Sequence, residues 1–252
     1  MKGGETLLLD IHSHILPNVD DGAKSLEAAL ELLKLMQQQG ITNVIATPHF
    51  YPHDDTIEAF KERIYNSYNL LCESKDKLPN IILGCELFYF NGISKSEFIR
   101  EFTIGGSNYL LLEPNPYMLS KKLMDEILYL KNELHIIPII AHIERYHTCK
   151  GYKTFLKFVK ENKILTQVNS ASFFDKSYNR IIKKLFKEKI ITFIATDTHS
   201  MRRPPMMDVA LLEIEKRFGS NEKRRIISNL EILYNNITAE AMNNEINHTE
   251  YL

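Results

Sequence analysis

The chain has 252 residues, enough for one large α/β domain with its own core and short for two. Apolar residues make up 44% and charged residues 25%, and a net charge of −1 gives no electrostatic footprint for nucleic acid or an anionic membrane. No run reaches the roughly 20 apolar residues of a membrane span, Met1 to Leu9 carries no apolar leader, and Cys72, Cys85 and Cys149 show no CxxC spacing, so the expectation is a cytoplasmic, non-inserted protein with reduced thiols.

Along the chain, short apolar, β-branched runs alternate with amphipathic stretches. The first strand is expected at 7–11, followed by a helix at 25–39 that opens on Ser25 and stops at Gly40. A strand at 43–46 precedes a helix at 57–72 capped by Thr56. Strands at 81–85 and 109–112 follow, then a helix at 119–131, a strand at 136–141 and a helix at 152–161. The last units are a strand at 164–168, a helix at 175–187, a strand at 191–195 and helices at 208–218 and 221–234, with a short helical turn opened by Thr238. The strands read as continuous apolar runs, as strands buried on both faces do. Seven strand–helix units in a single domain over 1–252, with a core at about 7–235 and a short C-terminal tail, fit either an open doubly wound sheet or a closed barrel. The chain has neither GxGxxG nor GxxxxGK[ST], which favours the barrel.

The residues at the end of each strand carry the chemistry. The first strand runs into Asp10-Ile11-His12-Ser13-His14, and the second ends in Thr47-Pro48-His49. Glu86 comes after the third, Glu113 ends the fourth, His142 the fifth and Asn169 the sixth, and Asp197-Thr198-His199 closes the seventh. Barrels and open α/β sheets place their sites at these C-terminal strand ends. In extended backbone His12 and His14 point to one face and can share an ion. A lone HxH pair is as often structural, but five of the nine histidines fall at strand ends here. Imidazoles and carboxylates without a thiolate suit manganese, iron or zinc. The donors are too many for one ion and suit two or three. Such a cluster points to phosphate-ester hydrolysis, in which ions ionise a water and neutralise charge on the leaving oxygen.

Phosphate oxygens also need donors. Arg145 lies three residues past His142, and Arg202 and Arg203 come shortly after His199. Guanidinium forks match phosphate geometry, although for any single arginine the solvated surface is the default. Asp20 and Asp21 before Gly22 read mostly as turn composition, with Asp20 an alternative site contact. Asp10 is a candidate to orient a ligand histidine or to make a local hydrogen bond, and Asn169 to touch substrate. His53, His135, His147 and His248 read as surface or supporting residues. Tyr51, Phe88, Tyr89, Phe90 and Tyr117 are either pocket walls for an aryl phosphate or loop packing.

The run Asp10-Ile11-His12-Ser13-His14-Ile15-Leu16-Pro17 with Asp20-Asp21-Gly22 resembles the opening of bacterial tyrosine phosphatases of the PHP (polymerase and histidinol phosphatase) superfamily, of the CpsB/YwqE type found in capsule and exopolysaccharide loci. Ala46-Thr47-Pro48-His49, Gly84-Cys85-Glu86, Ala141-His142-Ile143-Glu144-Arg145-Tyr146 and Asp197-Thr198-His199 are similar to its later motifs, in order over about 7–215. The resemblance implies a distorted (β/α)7 TIM-like barrel, the PHP fold. It implies two to three divalent ions, manganese foremost with iron or zinc as alternatives, held by His12, His14, His49, Glu86, Glu113, His142, Asp197 and His199. The implied activity is protein-tyrosine phosphatase, hydrolysing phosphotyrosine on a bacterial tyrosine kinase tail that regulates polysaccharide export. Arg145 matches the family's phosphate arginine. The second is Arg203 or Arg202, and Ser200 stands where the family commonly has Asn. The chain lacks the C-x5-R loop of cysteine-dependent phosphatases: Leu78, Asn91 and Phe155 stand six residues after its cysteines. The alternatives are a small-molecule phosphatase of the histidinol-phosphatase type, a nucleotide phosphodiesterase and a metal-binding regulatory module.

Overall fold

The computed structural model describes residues 7–74, 76–117 and 119–249, with side chains as far as residue 241. Residues 1–6 of the stretch read for a leader, and the side chain of His248, lie outside the described residues. No helix among the described residues is long and apolar enough to cross a membrane.

The elements in chain order are β1 (Leu9–Ser13), α1 (Leu26–Gln38), β2 (Asn43–Ala46), β3 (His49–Phe50), α2 (Ile57–Cys72), β4 (Asn80–Leu83), β5 (Glu86–Phe88) and β6 (Tyr109–Glu113). Then come α3 (Lys121–Asn132), β7 (Ile137–Ile140), α4 (Tyr152–Glu161), β8 (Leu165–Asn169), α5 (Asn179–Lys187), β9 (Phe193–Ala195), α6 (Met207–Phe218) and α7 (Ser220–Thr249). Every strand ladder is parallel. They form two sheets, β1-β2-β4 and β3-β5-β6-β7-β8-β9.

The two sheets are one barrel. β2 and β3 are halves of a single strand broken at Thr47-Pro48, and β4 and β5 are halves of another broken at Gly84-Cys85. Proline lacks the N–H a ladder needs. The Gly84 N–H to Ala46 O (2.9 Å) and Glu86 N–H to Pro48 O (3.0 Å) bonds carry the pairing across both breaks. The ring closes where His14 N–H donates to Thr198 O (2.9 Å) and Asp197 N–H to His12 O (2.8 Å). Seven strands thus lie in sequence order around a distorted (β/α)7 barrel. Between β5 and β6, 3-10 turns at Ile93–Lys95, Ile99–Phe102 and Ile104–Gly106 replace an outer helix.

Most helices form where expected; α5 starts at Asn179, four residues later than the expected 175, because Lys176–Tyr178 forms a 3-10 turn. The hydroxyls of Ser25, Thr56 and Ser120 accept from the N–H groups of Ala28, Ala59 and Leu123. In α4, Tyr152, Phe155, Leu156 and Val159 are buried at helical spacing while Lys153, Lys157 and Lys160 face water. Truncating Phe155 to alanine in such a stripe costs about 3–5 kcal/mol.

Three further expectations are corrected. The strand expected at 81–85 stops at Leu83 and resumes only at Glu86, because the chain leaves the ladder at Gly84-Cys85. β1 begins at Leu9 and runs to Ser13, two residues later than expected at each end, because its ladder is set by pairing Leu9 with Asn43. Thr238 opens no new turn: α7 runs through it unbroken, and its hydroxyl donates to Tyr234 O (3.0 Å) inside the helix. Beyond residue 235 the helix stays on the barrel as far as residue 240. Ile237 is buried, Asn236 donates to the Tyr109 hydroxyl (2.8 Å) and Glu240 accepts the Asn108 N–H (2.7 Å).

Candidate metal centre

The barrel places the C-terminal ends of all seven strands around one mouth, and the strand-end side chains meet there. His12, on the last full pleat of β1, and His14, just past it, bring their Nε2 atoms within 3.1 Å. Glu86 opens β5 and is buried. Its Oε2 lies 3.1 Å from His12 Nε2, 3.4 Å from His14 Nε2 and 3.0 Å from His49 Nδ1, and its Oε1 lies 2.8 Å from His142 Nε2. Glu113, at the end of β6, stands 3.5 Å from His142 Nε2 and 3.9 Å from His49 Nδ1. Asp197 Oδ1 is 3.3 Å from both His12 Nε2 and His14 Nε2, and His199 Nδ1 lies 2.8 Å from Asp197 O. His142 and Asp197 sit at positive φ (31° and 49°), which turns each side chain inward at the strand end for about 1–2 kcal/mol of strain. All eight expected ligands therefore line one cage.

Among the described residues the donors other than His142 fall into three overlapping groups: His12, His14, Glu86 and Asp197; His14, Asp21, His49 and His199; and His49, Glu86 and Glu113. His142 stands outside these groups, against Glu86 Oε1. Three observations fit metal ions in this cage. Among the described residues, buried His49 Nδ1 and Glu86 Oε2 have close neighbours but no partner in hydrogen-bond geometry, although such atoms normally find one. The ring tautomers also agree. His12 Nδ1 faces Gln167 Oε1 (3.3 Å), His14 Nδ1 faces Asp20 Oδ2 (2.6 Å) and His199 Nδ1 faces Asp197 O. Each Nδ1 thus carries a proton, assigned from its acceptor, and each Nε2 points into the cage. An outer acceptor behind each ring is how ligand histidines are held. The third observation is the donor set itself, imidazole and carboxylate with no thiolate, which suits Mn, Fe or Zn.

In the metal-free cage the charges are tightly balanced. Burial pulls the His12 and His14 imidazoles down, but the surrounding carboxylates outweigh it and leave both raised. Burial lowers His142 and brings His199 to about 4, so both are neutral near pH 7. Burial pushes Glu86 and Asp197 up, but His12 and its neighbours hold both well below the usual carboxylate range. Glu113, half-buried beside Glu86, is raised to about 7 by desolvation and the neighbouring carboxylate.

Several supporting residues carry little or no signal in the sequence pattern. The 14–23 loop folds back on itself, with Ala23 N–H donating to His14 O (3.0 Å). Only glycine fits the return, since a Cβ at Gly22 would stand 2.1 Å from His14 O. The return brings Asp20 onto His14 and onto the His49 N–H (3.0 Å). It also sets Asp21 Oδ1 3.3 Å from His199 Nε2 and 3.6 Å from His49 Nε2. Asp-Asp-Gly shortly after HxH was the available signal, read as turn composition. Gln167 lies on β8, accepts the His142 N–H (2.7 Å) and donates to Asn169 Oδ1 (2.7 Å). A glutamine inside an apolar strand was its only signal. Asn169 reaches a candidate ligand: its Nδ2 donates to Asp197 Oδ2 at 2.7 Å. Buried Glu144 accepts the Asn169 N–H (3.0 Å) and the Ser172 hydroxyl (2.7 Å).

Asp10 does not orient a ligand ring. It accepts the Thr196 N–H (2.9 Å) and hydroxyl, pinning β1 to the end of β9. Arg145 Nη2 donates to Asp197 Oδ2, with its side chain 39% exposed at the mouth. Arg203 Nη2 lies 3.4 Å from Asp21 Oδ2, whereas exposed Arg202 makes only a backbone bond to the Ser200 hydroxyl. Tyr51 stacks 5.2 Å from the His49 ring and touches Phe88 at 5.5 Å. It borders a 510 Å³ cavity with Asp20, Asp21, His49, Asp54, Asp55 and Arg63. Tyr89 is buried with its hydroxyl on Asn91, Phe90 packs on the core and Tyr117 is almost wholly exposed. His53 and His135 are exposed, and His147 faces the Glu144 carbonyl oxygen (3.0 Å).

A family model for capsular polysaccharide synthesis, CpsB/CapC, matches residues 8–234. The tyrosine-protein phosphatase CpsB of Streptococcus agalactiae serotype III (strain NEM316) is 27% identical over 234 residues, covering 87% of this chain and 94% of that protein. The tyrosine-protein phosphatase YwqE of Bacillus subtilis (strain 168) is 27% identical over 240 residues, 92% of this chain and 93% of its own. A solved structure from the pair YwqE of Bacillus subtilis and CpsB of Streptococcus pneumoniae, metal-dependent tyrosine phosphatases, superposes with a TM-score of 0.79 at 27% identity, covering 91% of this chain and 95% of that one.

Proposed function

The chain belongs to the capsular polysaccharide synthesis CpsB/CapC family, and from that premise we propose that it is a metal-dependent protein-tyrosine phosphatase, a phosphoric monoester hydrolase. The observation that carries the reading is Glu86. One buried carboxylate faces four imidazoles of a strand-end cage, with an oxygen that finds no well-formed hydrogen bond among the described residues. The holders of two to three divalent ions, manganese first among them, are His12, His14, His49, Glu86, Glu113, His142, Asp197 and His199, joined by Asp21. When bound, such ions activate water for attack on phosphorus and neutralise the leaving oxygen.

The chain's own residues do the rest. Asp20, Gln167 and Asn169 hold His14, His12 and Asp197 in place. Arg145 spends one N–H on Asp197 and has further donors to aim at phosphoryl oxygens as charge develops on them. Arg203, tethered to Asp21 across the mouth, is the second phosphate arginine, and Arg202 is left on the surface. Tyr51, stacked on His49, offers a face for the phenyl ring of phosphotyrosine. We assign the substrate to a phosphotyrosyl protein, such as a tyrosine kinase tail controlling polysaccharide export, and the location to the cytoplasm.

The test is hydrolysis of a phosphotyrosyl peptide by metal-stripped protein after adding back Mn²⁺, Fe²⁺, Zn²⁺ or Mg²⁺, with His12→Ala and Arg145→Ala alongside. Metal-restored activity that both variants lose supports the reading. Turnover of aryl phosphate without turnover of the peptide would move it to a small-molecule phosphatase. No turnover of either would remove phosphatase as the function.

A further inference from the structure

Charge is unevenly spread along the chain. Residues 150–189 hold eleven Lys and Arg against three Asp and Glu, while the other 212 residues hold 20 against 29. The fold gathers this excess on the neighbouring helices α4 and α5. Lys153, Lys157 and Lys160 form the exposed stripe of α4, and Arg180 and Lys184 lie one turn apart on α5. Between the helices run two cavities of 510 and 540 Å³ that share Lys153 and Lys184. They form one groove floored by the apolar side chains of Leu156 and Ile181. Its upper end reaches His147, which shares the 3-10 turn Ile143–Thr148 with Arg145. The upper end of the groove therefore abuts the turn that carries Arg145.

These cations are largely uncommitted. Lys157, Lys160 and Lys184 make only loose pairs with Glu161 and Glu188 at 3.7–3.9 Å, of a kind that contributes little. Lys153 and Arg180 pair with no carboxylate among the described residues. The opposite rim has the other sign. Asp21, Asp54 and Asp55 line the cavity beside His49, and its one arginine, Arg63, is held by Asp55. An acidic chain is repelled on that side and attracted on the α4–α5 side.

We propose that the α4–α5 groove docks an extended acidic segment flanking the phosphotyrosine, so that substrates with carboxylates or further phosphotyrosines on one side of the target residue are preferred. This deepens the phosphatase reading and rests on it. A concave groove that runs up to the Arg145 turn suits a peptide better than a membrane. None of its lining residues is an exposed large apolar side chain of the kind that inserts into lipid.

The test uses the full-length, metal-loaded protein. Fluorescein-labelled peptides carry the non-hydrolysable phosphonomethyl-phenylalanine, with an acidic flank on its N-terminal side, an acidic flank on its C-terminal side, or neutral flanks. Binding by anisotropy at low and high salt is compared for the wild type and for Lys153→Glu/Arg180→Glu/Lys184→Glu. One acidic peptide is expected to bind about tenfold tighter than the neutral one, with the advantage lost in high salt and in the variant. Hydrolysis of p-nitrophenyl phosphate should stay within about twofold, since docking charges act on encounter and not on the reacting phosphate. A lysine-flanked peptide should gain affinity for the variant, which a damaged fold could not produce. Equal binding of acidic and neutral peptides, or equal loss of both in the variant, overturns the proposal. So does loss of binding to phosphatidylglycerol vesicles with peptide affinity unchanged, which would give the patch to a membrane. If the phosphatase reading itself fails, the sign is separate: the wild type hydrolyses no phosphate ester, whatever the peptides bind.

Discussion

Asp20 Oδ2 stands 2.6 Å from His14 Nδ1 and also accepts the backbone N–H of His49 at 3.0 Å, so one carboxylate fixes two of the histidines that face the cage. Its own pKa is driven down: burial works against the charge, and the His14 imidazole more than compensates. Losing this support should weaken metal binding without emptying the donor set. Asp20→Asn is expected to lower metal affinity about 10–100-fold and to lower activity in a way that excess metal restores. Unchanged metal content after dialysis against a weak chelator would count against the role.

Glu86 is the carboxylate common to two of the three donor groups. Metal that binds only the folded state raises its stability by mass action. Adding Mn²⁺ to stripped wild-type protein should therefore raise the melting temperature in a concentration-dependent way, and Glu86→Gln should abolish most of that rise. An equal rise in both proteins would place the ions elsewhere.

Arg145 reaches the cage from the 3-10 turn after β7 and ends on Asp197. Its removal should lower kcat/KM for phosphotyrosyl peptide by about 10²–10³-fold, the scale for a charge-stabilising donor. Arg145→Lys should recover little of that, because an ammonium cannot keep one bond to Asp197 while presenting a fork to phosphate. Full recovery by lysine would reduce the residue to a point charge. Arg202→Ala should be silent, and Arg203→Ala should raise KM.

Glu144 is fully buried, and burial lifts it to about 7 despite its bonds from Ser172 and Asn169. A carboxyl whose folded pKa lies above its unfolded value binds a proton more tightly when folded. Its contribution is fully present below about pH 4.5 and is lost as pH rises through about 7. The metal-free protein should therefore lose stability between pH 5 and 8, by an amount on the order of 3 kcal/mol at most from this group. Glu144→Gln should flatten that slope in urea titrations at matched pH. The same slope in both proteins would mean that Glu144 is already ionised in the fold.

The strands and most helices were legible in the sequence because a parallel barrel buries its strands on both faces and its helices on one. Apolar runs and 3.6-residue stripes such as Tyr152, Phe155, Leu156 and Val159 record that burial directly. The eight strand-end ligand candidates were legible for a related reason: a polar, metal-competent residue ending an apolar run is a local pattern. The continuous run of α7 through Thr238 was not, because a threonine that could cap a helix can equally donate back to the carbonyl four residues earlier. Tertiary structure alone decided which carboxylates support and which could bind. Asp20 and Asp21 are neighbours in an ordinary turn until the closed ring and the tight return at Gly22 set one behind His14 and the other before His199. It also decided that Arg203 reaches Asp21 at the mouth, and that lysines scattered from Lys153 to Lys184 share one groove. Such facts depend on which strand ends and helix faces become neighbours when the barrel closes, and spacing along the chain does not encode distance across it.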